Sequence, residues 1–239
     1  ANYKLFWKQF TLSGETAIDK KGRIATMNML KYAPKESFQL MVMNRFYDVA
    51  YQSIYASSIG EGSDVQNESG IYIGLETKFL QYFKLNTYSD FFYFPWKKYQ
   101  MSKNGTHGFD GMCQLSYSPR YELDMFIRYR YKNKYKDFTG EDKEKVTIPY
   151  IKKKWKYQLN YSPIDELMLK TTVDMVHNAY QGQNPSMGFL VGQSVEYKFK
   201  AFPLQLDIHG AWFHTDDYAS RISMYEKSLL YAFSIPSFY

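Results

Sequence analysis

The sequence predicts an all-β protein: an antiparallel transmembrane β-barrel of the outer membrane, with about twelve strands in this chain and a wall expected to be incomplete at both ends. Three observations predict it. Stretches such as "YSPRYELDMFIRYRYKNKYK" (117–136) alternate apolar with polar residues, and a period of two puts them on opposite faces of a strand. Aromatic residues make up 19% of the 239, with 24 Tyr and 18 Phe, yet mean hydropathy is only -0.50. No apolar run approaches the ~18 residues of a membrane helix. Barrel strands turn apolar residues to lipid and polar ones to the lumen, so mean hydropathy stays low while aromatic girdles raise Tyr and Phe. Tyr suits a girdle because its ring is apolar and its hydroxyl can stay wet.

Alternating runs place strands at 5–17, 23–32, 37–46, 70–79, 82–93, 108–117, 121–133, 147–161, 166–177, 187–199, 203–214 and 222–234. Their boundaries are set by a repeated short turn. "LKYAPKESFQL" (30–40), "LSYSPRYELDM" (115–125) and "LNYSPIDELML" (159–169) share an apolar residue, a polar one, Tyr, Ala or Ser, and Pro. Pro cannot donate to a ladder and so marks the turn. "ETKFLQYFKL" (76–85) and "EYKFKAFPLQL" (196–206) supply two more, so short turns centre near 34, 80, 119, 163 and 201. Longer polar connections lie at 19–22, 47–69, 94–107, 134–146, 178–186 and 215–220. Short turns at one end and long loops at the other predict periplasmic and extracellular sides, with residues 1–239 forming one domain.

The phase of each strand fixes which face meets lipid. In every strand entering a short turn, the last residue in the apolar phase is aromatic: Tyr32, Phe79, Tyr117, Tyr161 and Phe199. That is the pattern of a ring at one membrane interface. The phase puts Ile71, Ile73 and Leu75, or Trp155, Tyr157 and Leu159, outward. It leaves Glu122, Asp124, Arg128, Arg130, Lys152, Lys154, Lys156, Lys170, Asp174, Glu196 and Asp207 facing the lumen. A slip of one residue would bring each Arg or Lys into lipid at about 2–4 kcal/mol near the midplane. In 23–32, Ala25, Met27 and Met29 compete with Ile24 and Leu30, and Tyr32 decides the phase. A soluble β-sandwich or lipocalin-like barrel is the alternative, and has no need of such a ring.

Three loop stretches carry a family likeness: "RFYDVAYQSIYASSIGEGSDVQNESGIYIGLE" (45–76), "DFFYFPWKKYQMSKNGTHGFDGMCQLSYSP" (90–119) and "YASRISMYEKSLLYAFSIPSFY" (218–239). Together they resemble the barrel of the helix-hairpin-helix outer-membrane proteins of Bacteroidota. The resemblance implies an outer-membrane location and a wall that continues past Tyr239. It also implies a leader and a helix-hairpin-helix region, neither of which these residues contain.

Function is less legible. The net charge of +6 is spread through the strands, so the basic run "YIKKKWKYQLNY" reads as a charged strand face and not as a nucleic-acid site. Cys113 is the single cysteine and reads as a small hydrophobe. His107, His177, His209 and His214 show no spacing that would give a nucleophile its base. Glu61, Asp64, Asn67 and Glu68 lack the EF-hand spacing, and read as a solvated loop. No enzyme activity, metal or cofactor is expected. The expectation is a structural or partner-binding subunit that contacts outer-membrane lipid and other envelope proteins. A channel for small solutes is the alternative, and a lipid-modifying enzyme comes third.

Overall fold

The computed structural model describes residues 1–53, 55–140, 144–224 and 236–239. Twelve strands form one sheet in strict chain order. They are β1 (Asn2–Trp7), β2 (Phe10–Ile18), β3 (Ile24–Lys35), β4 (Phe38–Tyr47), β5 (Glu68–Phe79), β6 (Phe83–Phe94), β7 (Thr106–Arg120), β8 (Leu123–Thr139), β9 (Lys145–Ile164), β10 (Leu167–Tyr180), β11 (Ser186–Lys198) and β12 (Gln205–Thr215). The expected all-β antiparallel architecture is therefore present. Its sequential order is the connectivity of an up-and-down barrel wall. No α-helix occurs among the described residues.

Three expectations are corrected. The strand predicted at 5–17 is a hairpin, β1 and β2, turning at Lys8 and Gln9 with Trp7 opposite Phe10. Leu5 and Trp7 occupy odd positions while Phe10 and Leu12 occupy even ones, so the apolar phase switches where the chain reverses. The loop predicted at 134–146 is mostly strand, because β8 runs to Thr139 and β9 begins at Lys145. Lys134 and Lys136 continue the polar phase of Lys132, so alternation carries the strand onward. The strand predicted at 222–234 does not join the sheet where it is described. Ile222 and Ser223 (β13) pair instead with Ser237 and Phe238 (β14), and 225–234 lie outside the described residues.

The chain divides into two units by contact density. One comprises Ala1–Lys78, Asn86–Met112 and Tyr131–Ile151, the other Phe79–Leu85, Cys113–Arg130 and Lys152–Tyr239.

In the first unit the register puts Leu12, Leu30, Val42 and Ile73 in one row across β2 to β5. All four are exposed, so one face of the sheet is apolar and uncovered. Ala25 and Met43 lie on the other face and are buried, which resolves the phase of β3 in favour of Tyr32. Two pairs of polar groups on the apolar face are joined: the Tyr3 hydroxyl donates to Asn28 Oδ1 at 2.7 Å, and Thr16 and Thr26 share a hydrogen bond at 2.8 Å. Gly14 makes room for the first of these, since a Cβ there would sit 2.5 Å from Asn28 Oδ1. At the short-turn end Trp7, Phe10, Tyr32 and Phe38 form a run of ring contacts with centroids 4.6–6.2 Å apart.

In the second unit Val173, Val191 and Trp212 form a row across β10, β11 and β12. Phe83 meets Phe79 at 5.8 Å and Tyr117 at 4.6 Å, and Tyr197 meets Phe199 at 4.9 Å. Tyr161 is exposed. The chain beyond β12 returns over the opposite face. A single 3₁₀ turn, Tyr218–Ser220, is capped by Asp217, and Ile222 and Met224 bury themselves on Val176 and Leu190. This strap is why 222–224 cannot extend the sheet: their apolar side chains cover apolar positions on an otherwise polar face.

Candidate functional site

The polar face of the first unit carries a dense ion-pair cluster. Arg45 on β4 is fully buried, donating from Nε to Glu68 on β5 at 2.8 Å and through both terminal nitrogens to Asp90 on β6 at 2.7 and 3.1 Å. Bidentate pairing suits the planar guanidinium. Gly70 lets it lie against the sheet, because a Cβ there would be 2.6 Å from Arg45 Cζ and 2.8 Å from the Phe91 carbonyl oxygen. Glu68 also accepts from Lys98 Nζ at 3.0 Å and from the Glu61 amide at 2.8 Å.

The loop between β4 and β5 folds onto this face. Glu61 at its turn bridges Lys132 and Lys134 of β8, the latter at 2.8 Å, and Lys132 also reaches Asp110 at 3.2 Å. Asn67 staples the loop to the next one. Its amide donates to the Trp96 and Lys97 carbonyls at 3.0 Å, and its oxygen accepts from the Trp96 amide at 2.8 Å. The expected solvated loop is therefore corrected: Glu61 and Glu68 are held by Lys and Arg, and Asn67 is a latch.

The second unit places the lumen-facing candidates as follows. Asp124 accepts from Ser118 at 2.6 Å, and Arg128 donates to Gln114 at 2.7 Å. Lys156 pairs with Asp174 at 2.9 Å. Lys152 and Lys154 share that phase of β9, and Arg130 shares the phase of Arg128 on β8. Lys170 lies opposite Ser194 on β11. Glu196 and Asp207 are directly opposite one another, with Lys198 3.3 Å from Glu196. Glu122 lies in the turn between β7 and β8, not in a strand, and its carbonyl accepts from the Ser162 amide at 2.7 Å. Bases outnumber acids along β8, β9 and β10, whereas acids meet at β11 and β12.

A nucleophile–base contact that spacing did not reveal joins Ser194 to His209 Nδ1 at 2.7 Å. β11 is paired on both sides, so its backbone N–H groups are spent in the ladders. The pair sits within the sheet and satisfies two polar side chains.

Sequence reasoning missed Arg45, Asp90, Lys98, Asp110, Lys132 and Lys134, and it missed the ion pairing of Glu61 and Glu68. Phase alone would have found Arg45, which alternates with Val42, Asn44 and Phe46. Glu61 had no such mark, because loop docking leaves no period.

In comparison with known proteins, no family model and no curated protein sequence matches the chain. Among solved structures it is similar to the NanC porin, at 10% identity and a TM-score of 0.33, over 85% of this chain and 96% of that one.

Proposed function

We propose that the sheet is the wall of an outer-membrane β-barrel, and that its polar face lines a channel for small solutes with a preference for anions. The observation that carries the anion preference is the cationic face of β8, β9 and β10 in the second unit: Arg128, Arg130, Lys152, Lys154, Lys156 and Lys170, with Lys156 already paired to Asp174. Rings of fixed charge select permeants by sign. The exposed apolar rows and the aromatic runs support a lipid environment. An unpaired sheet edge is not viable in lipid, so on this reading β1 and β12 pair with each other or with further strands. The resemblance of the loop stretches to the Bacteroidota helix-hairpin-helix family supports the outer membrane as the location.

The test is conductance in a planar bilayer under a salt gradient. The expected result is discrete steps with a reversal potential of the anion-selective sign. Replacing Lys152, Lys154 and Lys156 with Gln moves that potential toward zero. Cation selectivity overturns the anion preference. Silence from protein shown to be folded overturns the channel, and favours the partner-binding subunit.

A further inference from the structure

We infer that the outer face of β9 to β12 holds a phosphorylated lipid. The inference rests on the membrane reading above. A groove of about 290 Å³ opens on the apolar face of the second unit. Its floor is Trp155, Met175, Met187 and Phe189, and its polar lining is Lys153, His177 and His214. The register orders it. Met175, Phe189 and His214 share one row, and His177 and Met187 share the next row toward the long loops.

Each polar side chain is odd in its place. Lys153 shares the phase of Trp155, so it is a cation on the face where Lys costs most. His177 Nδ1 is buried without a hydrogen-bond partner among the described residues. Such a nitrogen carries a desolvation penalty unless something meets it. Asp216 stands at the loop edge, 3.6 Å from His214 and accepting from the Met187 amide at 2.8 Å. It lies beside His214, and Lys153 is the cation of the groove. The occupant must therefore be anionic at the loop end and apolar below it. A phosphate monoester on acyl chains meets both demands: its oxygens accept from Lys153 and His177, and its chains run over Trp155, Met175 and Phe189. A neutral lipid offers Lys153 no counter-charge, and a zwitterionic one brings its own cation beside it.

The experiment uses fluorescence quenching in vesicles containing the folded chain. The lipids are dibrominated phosphatidic acid or dibrominated phosphatidylcholine, each at the same mole fraction in unbrominated phosphatidylcholine. Bromine quenches tryptophan on contact, and Trp155 and Trp212 lie in or beside the groove. Trp7→Phe and Trp96→Phe remove the remaining signal. The expected result is quenching by phosphatidic acid at several-fold lower mole fraction than by phosphatidylcholine, a preference abolished by Lys153→Gln with His177→Gln. Equal quenching by the two lipids overturns the lipid site and keeps the membrane wall. No quenching by either lipid overturns both. The comparison of lipids in the parent chain needs no groove variant, so a folding defect cannot mask the answer.

Discussion

Replacing Arg45 with Met tests whether the ion-pair cluster is a dry part of the protein or a wet wall. The substitution keeps an unbranched stem and deletes three hydrogen bonds: one to Glu68 and two to Asp90. Severing a buried pair costs about 3–5 kcal/mol, because the remaining charge stays buried without its partner. Two features place the expected loss at the lower end. Glu68 keeps Lys98 at 3.0 Å and the Glu61 amide at 2.8 Å. Asp90 keeps 14% of its side-chain surface exposed, so water reaches part of it. The expected loss is about 3 kcal/mol, roughly a hundredfold in the folding equilibrium. Urea unfolding of the chain refolded into phosphatidylcholine vesicles measures it, provided the slope is unchanged. Arg45→Met with Asp90→Leu recovers part of the loss, since one stranded acid is gone. A loss below about 1 kcal/mol, the ordinary value for an exposed pair, refutes the reasoning and means water screens the cluster.

Gly70→Ala lowers stability by about 1–3 kcal/mol in the same assay, because the new Cβ meets backbone at the Phe91 carbonyl as well as Arg45; an unchanged midpoint counts against it. On the channel reading, Glu61→Gln leaves Lys132 and Lys134 without their shared acid, so single-channel current rises and anion preference strengthens, and a smaller current contradicts the tethered loop. Asp217 anchors the strap and its titration should release it. The Ser186 hydroxyl holds that carboxyl below its usual value of 3.8; burial opposes this, and the Ser220 and Ala219 amides reinforce it. A depressed acid contributes stability in full above its unfolded value, and loses it as pH falls through the lower folded one. The anisotropy of a dye on Ser223→Cys, with Cys113→Ser, is therefore expected to hold from pH 7 to about 4.5 and to fall only below about 3.8. A drop near pH 6 would point to another group.

The strand interiors were legible because period two is a local property. Ile71, Ile73, Trp155 and Tyr161 announce a face whatever the rest of the chain does. The β1–β2 reversal was equally written in the residues, as a phase switch between Trp7 and Phe10, but two aromatic residues flanking "KQ" look like one continuous strand unless parity is tracked. The ion-pair cluster was only half visible. Arg45 shows itself by phase, yet its meeting with Glu68 and Asp90 depends on which strands are neighbours. Glu61 on Lys132 and Lys134 joins residues 71 and 73 positions apart, and no short-range pattern encodes that. The strap was hidden for a different reason. Ile222 and Met224 alternate as a strand does, and only the inward Val176 and Leu190, apolar in a polar phase, hint that something must cover them.

The tethering of Glu61 also governs what the outside world can grasp. The loop is pinned by an acid under two lysines and stapled through Asn67, while residues 57–60, 63 and 64 stay exposed. An antiserum raised against a free peptide of residues 58–66 therefore binds the denatured chain more strongly than the folded one, where Glu61 and Asn67 fix the loop's shape. The turn at Gly182, with φ of 78° and open space around it, is the better place to insert an epitope that must be read on the folded chain.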